Sequence, residues 1–122
     1  MMPEPARGWV LAAPSSNSGK TLVSAALIRL MLREGLVVAP FKVGPDYIDP
    51  GFLSAAARAS CRNLDPWAMG PARLGDLLRD QAGSHFLIEG VMGLFDGATT
   101  GNIQNNGSTA DAAKWLSWPV IL

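Results

Sequence analysis

One cysteine, one histidine and one tyrosine are all that the 122 residues contain of those three types. A single thiol, Cys61, excludes an internal disulfide, and a reducing cytoplasm is the expectation that follows. His85 precedes a short apolar run and reads as a surface or packing residue. Net charge is missing too, because ten basic residues balance ten acidic ones. No basic patch of the kind that nucleic acid requires stands out. Long apolar runs are also lacking. Met1 to Gly8 holds two prolines and no hydrophobic segment, so neither a signal peptide nor a membrane anchor is expected. Repeats and low-complexity tracts are absent. A chain of this length suits one domain, able to bury roughly two-thirds of the surface that its unfolded form exposes.

Glycine and proline are plentiful, and they cluster between apolar runs. Trp9 to Ala13 predicts a buried strand, followed by a Ser/Asn/Gly loop from Pro14 to Gly19. Lys20 to Glu34 carries Leu22, Val23, Ala26, Leu27, Leu30 and Met31 at helical spacing. Ile28 and Leu32 widen the apolar face, which predicts a mostly buried helix stopped by Gly35. Val37 to Phe41 predicts a second strand, whose hydrogen bonding Pro40 would interrupt. A turn-rich stretch spans 44–50, and alanine favours a short helix from Gly51 to Ala59. Pro71 to Ala82 predicts a helix with Pro71 in its first turn. Phe86 to Ile88 is a third strand, and a long glycine-rich loop follows from Glu89 to Gly107. Ser108 would cap a helix to Leu116, and Trp118 to Leu122 would begin a fourth strand. This alternation predicts an α/β fold with a mostly parallel sheet and helices on both faces. Trp67, Trp115 and Trp118 read as packing residues. Residues 1–7 read as a tail and 8–122 as the domain. The last apolar run has no helix after it, so a fragment of something longer is expected.

The strongest local signal is the run from Ser15 to Thr21, between a predicted strand and a predicted helix. That is the setting of a phosphate-binding loop. Free N–H groups of Ser16, Asn17, Ser18 and Gly19 at a helix start would face phosphate oxygens, with the helix dipole adding attraction. Lys20 would supply charge to the β- and γ-phosphates, and the Thr21 hydroxyl would reach Mg²⁺. Pro14 stands where the full pattern has glycine, and the plain alternative is a Ser-rich turn capping a helix. A Mg²⁺–nucleotide also needs carboxylates near strand ends. Glu89 directly follows Phe86-Leu87-Ile88, and Asp46 follows the second strand, so both would stand at the carboxyl edge where ligands of open parallel sheets gather. Solvated strand ends or turn acids are the alternative. Asp49 is balanced between the two readings, and Asp96 on spacing alone is an Asp-Gly turn.

Three blocks carry a family likeness: SNSGKT at 16–21, PFKVGPDYIDPGF at 40–52 and EGVMGLFDG at 89–97, with NLDPWAM at 63–69 and GSTAD at 107–111 as lesser support. In this order and spacing they resemble the N-terminal part of the cobyrinic or hydrogenobyrinic acid a,c-diamide synthases. The resemblance implies a P-loop domain similar in fold to dethiobiotin synthetase, binding ATP, Mg²⁺ and a corrinoid. It also implies a separate glutaminase domain that supplies ammonia, for which this chain has no candidate nucleophile. It leaves a homodimer open. Asp49 and Asp96 would line the reaction site with Lys20 and Asp46, Tyr47 and Asp49 would contact the substrate, and Thr21, Asp46 and Glu89 would hold the metal. Leu53 and Arg58 stand where the family would have His and Gly, in a segment expected beside the substrate. Other P-loop enzymes, such as a dethiobiotin synthetase-like ligase or a cobyric acid synthase, are the first alternative. A ParA-like nucleotide switch is the second, although such switches usually carry a lysine where Pro14 stands. The chain by itself is expected to be inactive as an amide synthase.

Overall fold

The computed structural model describes residues 7–15, 19–46, 48–66, 68–80, 85–96 and 107–122. Among these, strands β1 (Arg7–Ala13), β2 (Val38–Val43), β3 (Arg62–Leu64), β4 (His85–Gly93) and β5 (Val120–Ile121) alternate with helices α1 (Lys20–Arg33), α2 (Asp49–Ala57), α3 (Pro71–Asp80) and α4 (Thr109–Leu116). The strands form one sheet in the order β3-β2-β4-β1-β5, and every pairing is parallel. The chain is therefore an α/β protein with a wholly parallel sheet.

Strand order explains where the helices go. From β1 to β2 to β3 the chain steps one way across the sheet, and from β3 to β4 to β5 it steps back. Right-handed crossovers then require α1 and α2 on one face and α3 and α4 on the other. The two cores follow that division. Ile28, Leu53, Ala56 and Ala57 pack with Val38 and Leu87 on one side. Leu74, Leu77, Leu78, Ala112, Ala113 and Leu116 pack with Val10, Phe41, Phe86 and Ile88 on the other. Leu87 and Ile88 are neighbours in sequence and face opposite cores, as the two-residue period of a strand demands. On the α3/α4 side Trp118 stacks on Phe86 with ring centres 5.5 Å apart. A Cβ on Gly8 would come within 2.5 Å of the Trp118 ring, so that stack needs a glycine in β1.

Local sequence explains the ends of the helices. Gly19 (φ 83°) precedes α1. At the other end, Leu36 N–H donates to Met31 C=O and Gly35 N–H to Leu32 C=O, both at 3.0 Å, the paired bonds of a glycine-terminated helix. Ser108 caps α4 by accepting from Asp111 N–H at 3.1 Å. The element sequence thus follows the expected pattern, with four differences. First, α1 is not mostly buried: only Ser24 and Ile28 are, and Leu22 stands 77% exposed, with Val23 and Leu30 also open. A helix lying on one face of a sheet gives it one stripe, and the aliphatic residues of α1 extend beyond that stripe. Second, β3 was not expected, being too short and polar for a periodic signal. It pairs with Phe41, Lys42 and Val43. Third, Pro40 stays inside β2, in register with Leu87. Pairing with β3 begins only at Phe41, so the missing N–H does not break that ladder. Fourth, β4 does not end at Ile88 but continues through Glu89 to Gly93.

Candidate functional site at the carboxyl edge

β1 and β4 are neighbours whose chains leave the sheet in opposite directions, which makes a crevice at their carboxyl ends. Register decides which side chains reach it. Asn63, Lys42, Glu89 and Leu11 lie side by side on β3, β2, β4 and β1. Glu89 has the same parity as Leu87, so it points toward α1 and α2. At this end of the sheet that face turns from apolar to ionic.

Thr21, in the first turn of α1, donates its hydroxyl to Glu89 Oε1 at 2.6 Å, across 68 residues of sequence. Lys42 is the hub of the rest. Its ammonium donates to Gly90 C=O at 2.9 Å, to Asp49 Oδ2 at 3.0 Å and to Glu89 Oε1 at 3.2 Å, and Asp46 Oδ2 lies 3.8 Å away. Lys42 is 2% exposed and Glu89 is fully buried. Burying such a pair is tolerable because each charge has its opposite within contact, whereas removing one partner leaves an uncompensated charge inside. Sequence reasoning gave Lys42 no role. The available signal was a lysine between Phe41 and Val43 at the end of an apolar run, since lysine is almost never fully buried unless paired.

The loop after β2 is held by its own backbone and by β3. Asp46 Oδ1 accepts from Ile48 N–H at 2.9 Å and Asp49 N–H at 3.1 Å, which shapes the turn into α2. Asn63 donates its amide to Asp46 C=O at 3.1 Å, and Gly44 N–H donates to Leu64 C=O. Asn63 was another residue that sequence reasoning passed over. Asp96 accepts from Gly93 N–H at 3.0 Å and stands exposed, so it closes the turn after β4. It also lies near Pro14, just after β1: a Cβ on Gly93 would be 2.8 Å from Asp96 Oδ2 and 2.9 Å from Pro14 C=O. Ser16, Asn17, Ser18 and Tyr47, together with Trp67 and residues 97–106, lie outside the described residues.

Charge at the site shifts its titrating groups. Burial lowers the Lys20 ammonium from its ordinary value, and the neighbouring Lys42 charge lowers it further, against the opposite pull of Glu89, Asp49 and Asp46. Burial alone would raise the Asp49 carboxyl, but the hydrogen bond and charge of Lys42, with Thr21 and Asp46, hold it below its usual value. Cys61 is buried, and desolvation with the Glu89 charge pushes its thiol up to about 12, which makes it a packing residue rather than a nucleophile.

Two buried acceptor atoms, Glu89 Oε2 and Asn63 Oδ1, have no hydrogen-bond partner among the described residues. A carboxylate oxygen in that condition fits a cation or a donor that the protein itself does not supply. No group of three or more His, Cys, Asp or Glu among the described residues is arranged as a metal cluster. A single buried carboxylate with the Thr21 hydroxyl beside it fits Mg²⁺, which is usually held by one or two carboxylates with phosphate oxygens and water.

Leu53 and Arg58 are placed differently from the expectation. Leu53 is fully buried beneath α2, and Arg58 is the exposed C-cap of that helix, at the end away from Asp49, in the left-handed conformation (φ 53°, ψ 35°). They serve packing and backbone turning, and a glycine would suit position 58 because it adopts that conformation without a Cβ clash.

Among the described residues no helix is long and apolar enough to cross a membrane. Comparison with known proteins agrees with the likeness read from the sequence. The chain is 49% identical over 119 residues to the hydrogenobyrinate a,c-diamide synthase of Brucella suis, covering 95% of this chain and 26% of that protein. It is 46% identical over 122 residues to the enzyme of that name from Rhodobacter capsulatus, covering 99% and 28%, and 49% identical over 117 residues to that from Rhizobium meliloti, covering 94% and 26%. The chain thus spans about a quarter of the length of the curated relatives it matches. The sequence pattern of the CobQ/CobB/MinD/ParA nucleotide binding domain matches residues 9–112, and the chain belongs to that family.

Proposed function

We propose that this chain is the ATP-binding, carboxylate-activating part of a glutamine-dependent amide synthase acting on the a and c acetate side chains of a corrinoid, in the cytoplasm. The observation that carries the reading is the meeting of Thr21 and Glu89 in the crevice between β1 and β4, with Lys20 and Lys42 beside them. The names of the relatives supply the substrate class.

A carboxylate is a poor acyl donor because its leaving group would be oxide. Transfer of the γ-phosphoryl group of ATP to the acetate oxygen forms an acyl phosphate and releases ADP; ammonia then attacks the carbonyl carbon and phosphate leaves. The protein's work in such a reaction is positioning and charge neutralisation. Two ammonium groups, Lys20 and Lys42, face three carboxylates, Asp46, Asp49 and Glu89, so the site carries one net negative charge. A polyphosphate needs that balance reversed, and Mg²⁺ supplies the added positive charge when it is bound. Glu89 Oε2, the Thr21 hydroxyl and Asp46 would hold it. Lys20, on the first turn of α1, contacts the β- and γ-phosphates from the loop of Ser16, Asn17, Ser18 and Gly19. Lys42, whose three N–H donors go to Asp49, Glu89 and Gly90 C=O, would set a positive charge beside the transferring group. Asp49 and Asp96 would line the reaction site, and Tyr47 and Asp49 would contact the substrate.

Ammonia would come from a glutaminase domain in a longer protein, so this chain alone is expected to form no amide from glutamine. Lys20→Ala tests the central claim. ATP affinity or corrinoid-dependent ATP turnover should fall on the order of a hundredfold or more, and full activity in that variant would remove the phosphate-loop reading. Turnover with each candidate acid in turn separates a corrinoid synthase from the other ATP-dependent ligases of this fold.

A further inference from the structure

The carboxyl end of β4 is irregular at the place where the site depends on it. Leu11 of β1 is in register with Glu89, but Ala13 is in register with Gly93. β1 advances two residues while β4 advances four, so β4 bulges across Gly90, Val91 and Met92. A bulge redirects backbone groups that a regular ladder would use up. Here it turns Gly90 C=O toward Lys42, which donates to it at 2.9 Å.

The bulge is held from the opposite side of the sheet. Thr109, the first residue of α4, is completely buried. Its hydroxyl oxygen accepts from Val91 N–H at 2.9 Å and donates to Val91 C=O at 3.3 Å. Gly90 C=O and Val91 N–H belong to one peptide group, and that group is planar. Thr109 therefore grips the N–H end of the plane whose C=O end receives Lys42. A tilt of the plane at one end moves the acceptor at the other. Space is matched to this grip. A Cβ on Gly90 would lie 2.6 Å from Thr109 Cγ2 and 3.2 Å from Leu11 C=O, so only glycine lets Thr109 come close enough.

We propose that Thr109 is a positioning residue for phosphoryl transfer, aiming the Lys42 ammonium through the Gly90–Val91 peptide. The inference rests on the role given above to Lys42. Ala110 N–H donates to Leu94 C=O and Ser108 caps the helix, so α4 is a fixed mount for the hydroxyl. The arrangement couples the helix on one face of the sheet to the charged group on the other.

Thr109→Val keeps the shape of the side chain and removes both hydrogen bonds, and Thr109→Ser keeps the hydroxyl. Gly90→Ala attacks the same clamp from the strand side. NMR of the lysine side chains in the nucleotide-free protein reads the coupling directly, with the Lys42 signal assigned by its loss in a Lys42→Arg variant. Thr109→Val and Gly90→Ala should shift the Lys42 ε-CH₂ and ammonium resonances, and Thr109→Ser should leave them near the wild-type position. In steady-state ATP turnover, kcat should fall about tenfold to a hundredfold in the first two variants with KM for ATP little changed, and return in the serine variant, because misplacement of a charge by an ångström costs rates of that order. An unmoved Lys42 signal in folded Thr109→Val or Gly90→Ala overturns the inference. So does a kcat loss that serine does not restore. A shifted Lys42 signal in Thr109→Val and Gly90→Ala with ATP turnover at the wild-type rate keeps the peptide coupling and overturns the positioning role.

Discussion

The two faces of this sheet are built from alternate residues of the same strands, yet they do different work. Toward α3 and α4, β2 and β4 present Phe41, Val43, Phe86 and Ile88, with Phe41 and Phe86 rings 6.1 Å apart. Toward α1 and α2, the same strands begin with Val38 and Leu87 and end with Lys42 and Glu89. One face is apolar throughout; the other gives its carboxyl end to buried charge. An apolar core stabilises by removing surface from water. A buried ion pair contributes little net stability, because desolvation offsets the attraction, although breaking it is costly. The comparison teaches that apolar packing and buried charge are divided by strand parity.

Substitutions on each face sharpen that division. Lys42→Ala leaves Glu89 buried without its cation and should destabilise the fold by about 3–5 kcal/mol, read from the midpoint of urea unfolding. ATP turnover should be lost with it, and wild-type stability would mean that the pair is not buried as described. Leu78→Ala, on the apolar face, should cost about 3 kcal/mol through lost burial and a residual cavity, with ATP affinity unchanged for the folded protein. An affinity loss parallel to the stability loss would break the comparison. At the far end of α2, Arg58→Gly relieves a side chain from the left-handed conformation and should stabilise by about 1 kcal/mol in thermal unfolding. No change would mean that Arg58 makes compensating contacts. The smallest effect concerns pH. Lys42 holds the folded Asp49 carboxyl below its unfolded value, so its contribution is fully present above roughly pH 4. It is lost as pH falls through the lower folded value. Asp49→Asn should flatten that acid limb, whereas a variant on the apolar face such as Leu78→Ala should lower stability evenly across it.

Much of this could be read before the structure. The strand and helix on either side of the Gly-Lys-Thr run, and the Ser108 cap before a helical pattern, were both expected. Both are near-neighbour features. Asp46 follows β2 as expected, whereas Glu89, expected just after a strand, lies inside β4. Lys42 fell outside the expected strand, which ended at Phe41, and its partners Asp49, Glu89 and Gly90 come from two other elements. Asn63 lies on a strand of three residues, too short for any period to register. Thr109 looked like the start of a helix, and its grip on Val91 spans 18 residues. The exposure of Leu22 and Leu30 also escaped sequence reasoning, because helical spacing shows that apolar residues share a face and not whether anything covers it.

By itself the sequence determined the alternation of strands and helices, the stop of α1 at Gly35, the cap of α4 at Ser108 and the chemistry available at each loop. These depend on interactions within a few residues, through steric preference, backbone hydrogen bonding and side-chain period. Only the tertiary structure decided that β4 lies between β2 and β1, and thereby that Glu89 meets both Lys42 and Thr21. Strand order and register are set by burial summed over the whole sheet, so no local pattern encodes them, and the bulge that turns Gly90 toward Lys42 exists only where two distant strands fall out of step.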